Sequence, residues 1–307
     1  MKVLVCDPVS ISCLNELKSA GLEVIYSPKI TPQELLDGIH DFDGVIIRSR
    51  SKINSNVIEL GTKLKAVGRA GVGLDNVDLD AAAKHNISVF NTPEAPSEGV
   101  AELVLGLMIG LSRKISIGDS SIKSGKWLKG EMLGFELLGK TLGVIGFGRI
   151  GRKVSYLAKA FGMKILVYDV IDLSADNLKP LDAKFCDLDD LLSKSDYVSL
   201  HIPLTPKTKY IINREKLAKM KKNSYLLNTS RGKVIDETAL FEAISKGIIA
   251  GAGLDVFEKE PPDSGICSLP NVICTPHIGA QTREAQDSSG VLIAEKLISA
   301  LNKEDRG

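Results

Sequence analysis

Strong net charge and long apolar runs are both missing from this sequence of 307 residues. The chain has 39 lysines and arginines and 38 aspartates and glutamates, which gives a formal net charge of +1. Such a balance gives no electrostatic reason to expect a nucleic acid or an anionic membrane surface as a partner. The apolar runs also fall short of the roughly 20 residues that a membrane-spanning helix needs. We therefore expect neither nucleic acid nor membrane among the partners.

Cysteine is sparse and irregularly spaced. The five cysteines form no C-x-x-C pair and, being odd in number, cannot all pair within the chain. This pattern argues against a disulfide framework and a zinc site, and it is typical of a reducing compartment. The first ten residues, MKVLVCDPVS, are too short in their apolar part for a signal peptide and indicate a first strand. We predict a cytoplasmic protein that binds no metal.

Residues 142–169 contain the most informative pattern, an apolar run, a G-x-G-x-x-G turn, a helical segment and a second apolar run ending at Asp169. Gly146 suits the tight turn, Gly148 permits close approach of a pyrophosphate, and Gly151 permits close packing of helix on strand. The amino end of the helix offers unpaired N–H groups to phosphate. Asp169 can accept hydrogen bonds from both ribose hydroxyls of NAD, and it would repel the extra phosphate of NADP. The pattern therefore predicts an NAD site.

Alternating strand and helix patterns on both sides of this segment predict two α/β domains with doubly wound parallel sheets. Short runs rich in valine and isoleucine alternate with helically spaced segments over residues 1–90. After residue 169 we predict strands at 196–200, 224–227, 248–251 and 271–274. The last segment, 282–302, has the apolar spacing of an amphipathic helix. Because the first domain lacks a closing helix, we expect this last helix to return and pack on it.

A subunit interface is suggested by the segment that follows a proline-containing link at residues 91–96. The helix predicted over residues 97–112 is apolar nearly all round, which indicates burial between domains or in a subunit interface. Residues 113–138, which include the single tryptophan, Trp127, look irregular and could exchange with a partner subunit. Dimerisation is a hypothesis on these grounds.

The scarcity of histidine, with four in the chain, narrows the choice of an acid–base group for hydride chemistry. His40 and His85 precede predicted strands, at the edge opposite the cofactor, so structural or surface roles are expected. His201 and His277 follow strands, at the cofactor edge of the sheet. His201 is expected to line the cofactor site, or to be a satisfied loop histidine. This leaves His277 as the candidate proton donor and acceptor.

Arg231 and Asp255 also follow apolar strands, and Glu260 comes shortly afterwards. Arg231 is suited to bind a substrate carboxylate and polarise its carbonyl. Glu260 is suited to orient the imidazole of His277 and favour its charged form. By spacing alone each of these side chains is more often a surface charge or a capping group. Their shared position at strand ends is what favours a common site.

Two loops of the first domain also follow strands and are candidates for substrate binding. They comprise Arg48, Ser49 and Arg50, and Gly71, Val72 and Gly73. The first loop could hold a phosphate or a carboxylate by charge-assisted hydrogen bonds, although a solvated surface pair is the alternative. The glycine loop could offer backbone N–H groups to a carboxylate, or it is simply a turn.

Six ordered motifs resemble those of the D-isomer-specific 2-hydroxyacid dehydrogenases along nearly the whole chain. They are VGRAGVGLDNVD (67–78), GKTLGVIGFGRIGR (139–152), HIPLTPKT (201–208), NTSRGKVIDE (228–237), GAGLDVFEKEPP (251–262) and TPHIGAQT (275–282). The resemblance implies that Arg231 binds substrate, that Glu260 orients His277, and that His277 is the acid–base group. It also implies that Asp255 lies near the nicotinamide carboxamide.

The resemblance implies further features of fold and cofactor site. The other residues expected to line the NAD site are Arg149, Ile150, Pro203, Thr208 and Thr229, beside His201 and His277. A Rossmann NAD-binding domain, residues 95–279, is expected to be inserted in a flavodoxin-like substrate domain formed by residues 1–94 and 280–307. Members of the family form homodimers, so we expect one here.

The resemblance leaves the substrate open. Residues 48–50 look like the R-S-R stretch of members that act on a phosphorylated 2-hydroxy acid, and we expect such a substrate. Members that reduce glyoxylate or hydroxypyruvate share most motifs and are the alternative. A non-enzymatic, NAD-sensing scaffold like a corepressor is an alternative of another class. Because the chain ends at Gly307, we expect no carboxyl-terminal regulatory domain of the kind many members carry, and no serine inhibition through one.

Overall fold

A computed structural model describes residues 1–95, 97–171, 173–263 and 265–304 of the chain. Pro96 of the predicted link and residues 305–307 of the predicted first domain lie outside the described residues. The chain divides into two compact units, Met1–Ser97 with Ala280–Gly307, and Glu98–Gly279. Each unit is built on one β-sheet whose neighbouring strands run parallel, which confirms the predicted fold class.

The first unit has the strand order of a flavodoxin-like fold. Its strands are β1 (Lys2–Val5), β2 (Glu23–Tyr26), β3 (Gly44–Ile47), β4 (Ala66–Arg69) and β5 (Ser88–Asn91). They lie in the order β2-β1-β3-β4-β5. The connecting helices are α1 (Ile11–Ser19), α2 (Pro32–Gly38), α3 (Ser55–Leu60) and α4 (Leu79–Lys84).

Capping residues explain where these short helices begin. Thr31 Oγ1 accepts the N–H of Glu34 at 3.2 Å, and the Glu34 carboxylate accepts the N–H of Thr31 at 2.8 Å. Pro32 occupies the first turn of the same helix, where its missing N–H costs nothing. Asp78 caps α4 by accepting the N–H of Ala81 at 2.9 Å. Each cap satisfies a backbone donor that has no partner inside the helix.

The second unit has the strand order of a Rossmann fold with one further strand. Its strands are β6 (Thr141–Ile145), β7 (Lys164–Tyr168), β8 (Lys184–Phe185), β9 (Tyr197–Leu200), β10 (Tyr225–Asn228), β11 (Gly251–Leu254) and β12 (Val272–Cys274). They lie in the order β12-β11-β10-β9-β6-β7-β8. The order reverses between β6 and β9, and ligands of open α/β sheets bind at such a switch point.

Helices of the second unit correct two of the sequence-based interpretations. They are α5 (Ser97–Ser112), α6 (Ile115–Lys123), α7 (Arg149–Ala160), α8 (Ala175–Leu178), α9 (Leu188–Lys194), α10 (Arg214–Lys219) and α11 (Glu237–Ser245). The apolar helix α5 is buried in the core of its own unit, where Val104 and Met108 pack with Leu142 and Val144 of β6. The segment 113–138, expected to be irregular, contains the regular helix α6.

The strand predicted at residues 248–251 lies three residues later in the structure, at Gly251–Leu254. Its sequence, GAGL, carries little apolar signal because its neighbours approach too closely for larger side chains. A Cβ atom at Gly253 would lie 2.9 Å from the side chain of Leu227 and 3.1 Å from Cβ of Leu107. Small residues are therefore a packing requirement at this strand.

The last helix, α12 (Arg283–Glu304), belongs to the first unit, as expected from its amphipathic pattern. Ile293, Ala294, Leu297 and Leu301 are fully buried there, in a core cluster that includes Val5 of β1. Thr92 directly follows β5, and Ser289 lies in α12. Their buried hydroxyls are 2.5 Å apart, and this hydrogen bond joins the end of β5 to the helix. The carboxyl terminus thus closes the sheet begun at the amino terminus. No helix within the described residues is both long and apolar enough to cross a membrane.

Replacing Leu297 with alanine is expected to lower the free energy of unfolding by about 2–5 kcal/mol. The side chain is fully buried, so its loss removes apolar contacts and leaves a cavity. The exposed Leu60 is a matched control, and Leu60→Ala is expected to change stability by less than about 0.5 kcal/mol. Urea unfolding followed by circular dichroism measures both. Equal stability of the two variants would contradict the assigned packing of α12.

Candidate active site

The glycine turn connects β6 to α7, as the motif predicts. Gly146 has φ of +92°, and a Cβ atom there would lie 2.5 Å from the backbone oxygen of His201. A Cβ atom at Gly151 would overlap the backbone oxygen of Gly146. Gly148 is the N-cap residue of α7 and has open space where a side chain would be. The amino end of α7, with Arg149 and Ile150 in its first turn, is therefore suited to receive a phosphate.

Asp169 lies beside this turn, at the end of the neighbouring strand β7. Its Oδ2 accepts the N–H of Phe147 at 2.7 Å, and its Oδ1 accepts the N–H of Ile171 at 3.2 Å. These bonds fix the carboxylate next to the phosphate-binding turn while it stays half-exposed. This is the position that recognition of an NAD ribose requires.

His201 follows β9, and its surroundings make it a poor proton donor. Its Nε2 lies 2.9 Å from the hydroxyl of the buried Ser199. Burial lowers the pKa of His201 to about 3, so the imidazole is neutral at physiological pH. These surroundings argue against acid–base chemistry at His201, and its place in the cofactor site stays a prediction.

The remaining predicted cofactor residues lie in two loops of the same unit. Thr208 Oγ1 donates to the backbone oxygen of Pro203 at 2.6 Å and closes the loop after His201. Thr229 follows β10, and its buried Oγ1 has no hydrogen-bond partner within the described part of the chain. Buried hydroxyls are normally paired, so this oxygen is suited to a bound ligand. The turn, Asp169 and Thr229 together fit NAD.

The loop that carries Arg231 is held by hydrogen bonds to Asn228 and by close packing of Gly232. The buried Asn228 donates from Nδ2 to the backbone oxygen of Arg231 at 2.9 Å and accepts the N–H of Ser230 at 3.0 Å. A Cβ atom at Gly232 would overlap the carbonyl group of Phe257. The loop that carries Arg231 thus packs directly on the segment that leads to Glu260.

Glu260 and His277 form the hydrogen-bonded pair that the sequence predicts. Glu260 Oε2 lies 2.8 Å from Nδ1 of His277, and Glu260 Oε1 accepts the N–H of Phe257 at 3.3 Å. A bond at Nδ1 leaves Nε2 as the ring nitrogen available for proton exchange. Arg231, Asp255 and His277 follow β10, β11 and β12, three adjacent strands, so their loops share one edge of the sheet.

Asp255 is held by hydrogen-bond donors of the loop after β12. It is fully buried. Its Oδ1 accepts the hydroxyl of Thr275 at 2.6 Å and the N–H of Ile278 at 2.8 Å, and its Oδ2 accepts the N–H of Gly279 at 2.8 Å. Contact with the nicotinamide, which the resemblance implies for Asp255, stays a prediction.

In the first unit, the loop after β3 gives its two arginines different surroundings. The Arg50 guanidinium forms an ion pair with the buried Asp7 at 3.0 Å and donates to backbone oxygens of Ile30 at 2.8 Å and Pro28 at 3.1 Å. Within the described residues, the Arg48 guanidinium makes one long hydrogen bond, 3.5 Å to the oxygen of Pro8. Arg50 therefore braces the loop, which sequence reasoning missed, and Arg48 keeps donors for a ligand.

The remaining candidates occupy less specific places. Ser49 is exposed at the tip of the loop after β3. In the second loop, the N–H of Gly71 donates to Thr92 Oγ1 at 2.8 Å, and the oxygen of Val72 accepts from Asn91 at 2.6 Å. These hydrogen bonds hold the turn before Gly73 in place, and they do not indicate which ligand the turn would bind. Within the described residues, no group of three or more His, Cys, Asp and Glu side chains could hold a metal ion.

Comparisons with known proteins identify the family of this chain. A family model for the D-isomer specific 2-hydroxyacid dehydrogenase, NAD binding domain, matches residues 105–279. The D-3-phosphoglycerate dehydrogenase of Methanocaldococcus jannaschii is 46% identical over 99% of this chain and 58% of its own length. The hydroxypyruvate reductase of Thermotoga maritima is 45% identical over 98% of both chains. The crystal structure of the TT0316 protein from Thermus thermophilus superposes with a TM-score of 0.91 at 37% identity, covering 99% of this chain and 97% of the other.

The two named relatives differ in length. This chain spans 58% of the phosphoglycerate dehydrogenase from Methanocaldococcus jannaschii and 57% of that from Archaeoglobus fulgidus. It spans almost all of the hydroxypyruvate reductase. The comparisons therefore agree on the family, whose matching model is an NAD-binding domain, while the names of the relatives diverge on substrate.

Replacing Asp169 with serine is expected to lower the preference for NAD over NADP by about tenfold, because a like-charge repulsion of the extra phosphate is removed. Dissociation constants of both dinucleotides, from quenching of Trp127 fluorescence or from calorimetry, measure the ratio. Asp190→Ser is the matched control, since Asp190 pairs on the surface with Lys194. An unchanged ratio in Asp169→Ser would contradict the assigned ribose contact.

Proposed function

The chain belongs to the D-isomer-specific 2-hydroxyacid dehydrogenases, and within this family we propose that it oxidises 3-phospho-D-glycerate to 3-phosphohydroxypyruvate, the first step of serine biosynthesis. The observation that carries the proposal is the loop after β3, where Arg50 and Asp7 brace a half-buried Arg48 at a strand end. A guanidinium held in this way suits a phosphate group. The identity of 46% to a D-3-phosphoglycerate dehydrogenase also supports it.

The residues of the second unit divide the chemistry of the proposed reaction among them. NAD, when bound, supplies the acceptor for the hydride that leaves the hydroxyl-bearing carbon. Arg231 binds the substrate carboxylate through its charge and its planar donors. His277 takes the hydroxyl proton at Nε2, while Glu260 holds Nδ1 and stabilises the imidazolium that results. This set favours an enzyme over the corepressor-like scaffold, which would need none of it.

A reductase of hydroxypyruvate or glyoxylate is the second candidate. The hydroxypyruvate reductase of Thermotoga maritima matches this chain over 98% of both lengths. The same Arg231, Glu260 and His277 would serve it, with the proton moving from His277 to the forming hydroxyl. The two candidates differ in the need for a phosphate-binding group.

Consumption of NADH with 3-phosphohydroxypyruvate, hydroxypyruvate and glyoxylate tests the proposal. We expect the phosphorylated substrate to be preferred, and Arg48→Gln to raise its KM by about tenfold or more while leaving hydroxypyruvate unaffected, because a charge-assisted contact is lost. Equal turnover of all three acids by the wild-type protein would contradict the proposal and identify a hydroxypyruvate or glyoxylate reductase.

Arg50→Gln is the matched variant for this experiment. Because Arg50 pairs with the buried Asp7, its loss leaves that carboxylate with fewer partners and is expected to lower the free energy of unfolding by about 1–3 kcal/mol. Arg48→Gln is expected to leave stability nearly unchanged. Thermal unfolding of both variants separates bracing of the loop from contact with substrate.

We also propose that two copies of the chain associate through an apolar surface that spans α6 and the segment after it. Its exposed side chains are Ile122 (56%), Trp127 (79%), Leu133 (85%), Phe135 (56%) and Leu138 (70%). We infer from their nearness in sequence that they form one patch, and exposed apolar patches mark interaction sites. A symmetric dimer pairs such a patch with its own copy. The second copy is the occupant we propose for it.

Light scattering after gel filtration tests this surface. The wild-type protein is expected at twice the chain mass of 33.0 kDa, and the double variant Trp127→Ser, Leu133→Ser at the mass of one chain. Val170→Ser, at a position outside this segment that is 84% exposed, is the control and is expected to stay dimeric. A dimeric double variant would contradict the proposed interface.

A cytoplasmic location is part of the same proposal. All five cysteines are free thiols, and Cys6 and Cys13 are buried. Free thiols of this kind are typical of a reducing compartment.

A further inference from the structure

Both backbone groups of Arg48 are held by side chains from outside its own loop. Its N–H donates to Oδ2 of the buried Asp7 at 2.5 Å, and its carbonyl oxygen accepts from Nδ2 of Asn76 at 2.7 Å. The Arg48 guanidinium, by contrast, makes one long hydrogen bond within the described residues, to the oxygen of Pro8. The residue is therefore fixed through its backbone, and its side chain extends from that fixed point.

Asn76 holds this loop from the segment that follows the adjacent strand β4. Its Nδ2 also donates to the backbone oxygen of Ser51 at 2.6 Å, so the two N–H groups of the amide serve two carbonyl groups of one loop. Its own backbone oxygen accepts the N–H of Ile53 at 2.9 Å, and the oxygen of Ile53 accepts the N–H of Asp78 at 2.8 Å. One residue thus contacts the loop after β3 at three points between positions 48 and 53.

An amide side chain suits this position because two acceptors must be satisfied at once. A carboxamide nitrogen carries two N–H donors, whereas a hydroxyl carries one and a carboxylate carries none. Asn76 and Arg48 are half-buried, and Ser51 is buried. Leaving a carbonyl group without a partner in such a place costs free energy. The path of the loop from Arg48 to Ser51 therefore depends on the side chain of Asn76.

We propose that Asn76 is a positioning residue for Arg48 and that it thereby helps to select a phosphorylated 2-hydroxy acid. The inference rests on the proposed function, in which Arg48 contacts the phosphate of the substrate. A guanidinium binds phosphate through donors in a fixed planar arrangement, so a displaced backbone at Arg48 weakens that contact. Asp7 fixes the N–H side of Arg48, and Asn76 fixes its carbonyl side.

Kinetics with a phosphorylated and an unphosphorylated substrate test the inference. Asn76→Leu keeps the branching of the side chain, removes both donors and leaves the net charge unchanged. It is expected to raise the KM for 3-phosphohydroxypyruvate by about tenfold relative to the KM for hydroxypyruvate, because only the phosphorylated acid uses the contact with Arg48. Asn76→Ser retains one donor and is expected to change this ratio in the same direction by a smaller factor, which preserves the test if Asn76→Leu does not fold.

A double-mutant cycle with Arg48→Gln provides the readout that a merely structural role would not move. If Asn76 acts through Arg48, the two substitutions remove the same contact. The double variant is then expected to have the KM ratio of Arg48→Gln alone, within about twofold. Effects that multiply in the double variant would show that Asn76 acts independently of Arg48 and would overturn the inference.

Asn54→Leu is the matched control. Asn54 follows the same loop in the chain and caps α3 by accepting the N–H of Val57 at 3.1 Å. Loss of this cap is expected to lower the melting temperature while leaving the KM ratio unchanged. A rise in the ratio that merely follows loss of stability would also occur in Asn54→Leu and would count against the positioning role of Asn76.

The outcomes separate this inference from the proposed function. Equal turnover of the phosphorylated and unphosphorylated acids by the wild-type protein would overturn both. A wild-type preference that is lost in Arg48→Gln but kept in Asn76→Leu and Asn76→Ser would overturn only the inference. An equal rise of both KM values in Asn76→Leu would also overturn only the inference, because the substitution would then affect a feature that the two substrates share.

Discussion

Close approach of backbone segments at the carboxyl edge of the larger sheet is the constraint on which the candidate site depends. The turn after β6 lies against the backbone of His201, and the loop of Arg231 lies against the carbonyl group of Phe257. Contacts of this kind leave no room for side chains, so glycine occupies both meeting points. They bring the cofactor turn and the loops that carry the charged side chains to fixed positions before any ligand binds.

Buried carboxylates organise one loop in each unit by the same physical means. Asp7 is 1% exposed and receives the Arg50 guanidinium together with the hydroxyl and N–H groups of Ser51. Asp255 receives its donors from the turn around His277 instead. In both places the cost of removing a charge from water is offset by donors that the loop must present in one arrangement. Each buried carboxylate therefore requires its loop to adopt one conformation in the folded protein.

Two histidines at the same edge of the sheet, His201 and His277, differ in their burial. Burial of the His201 ring lowers its pKa to about 3, so the imidazole stays neutral. His277 remains 46% exposed and faces a carboxylate that is 40% exposed. Exposure lets a ligand reach the ring, and the Glu260 carboxylate lies 2.8 Å from its Nδ1. Both residues follow strands that end at one edge of the sheet, and their different burial separates their electrostatic environments.

The sequence alone determined the fold class, the NAD motif and the placement of Arg231 and His277 after strands, because these follow from local periodicity, motif spacing and the rule that parallel strands end at one edge. The family and the role expected of Glu260 came from the resemblance of six ordered motifs. It also placed the last helix, whose apolar stripe has no other surface to cover. Only the tertiary structure decided that Arg50 braces Asp7, that α5 is buried in its own unit, that β11 begins at Gly251, and that Asp255 is buried under the His277 turn. Each of these depends on which groups approach across long stretches of chain, and a side chain's type fixes what it can bond without fixing which partner it meets.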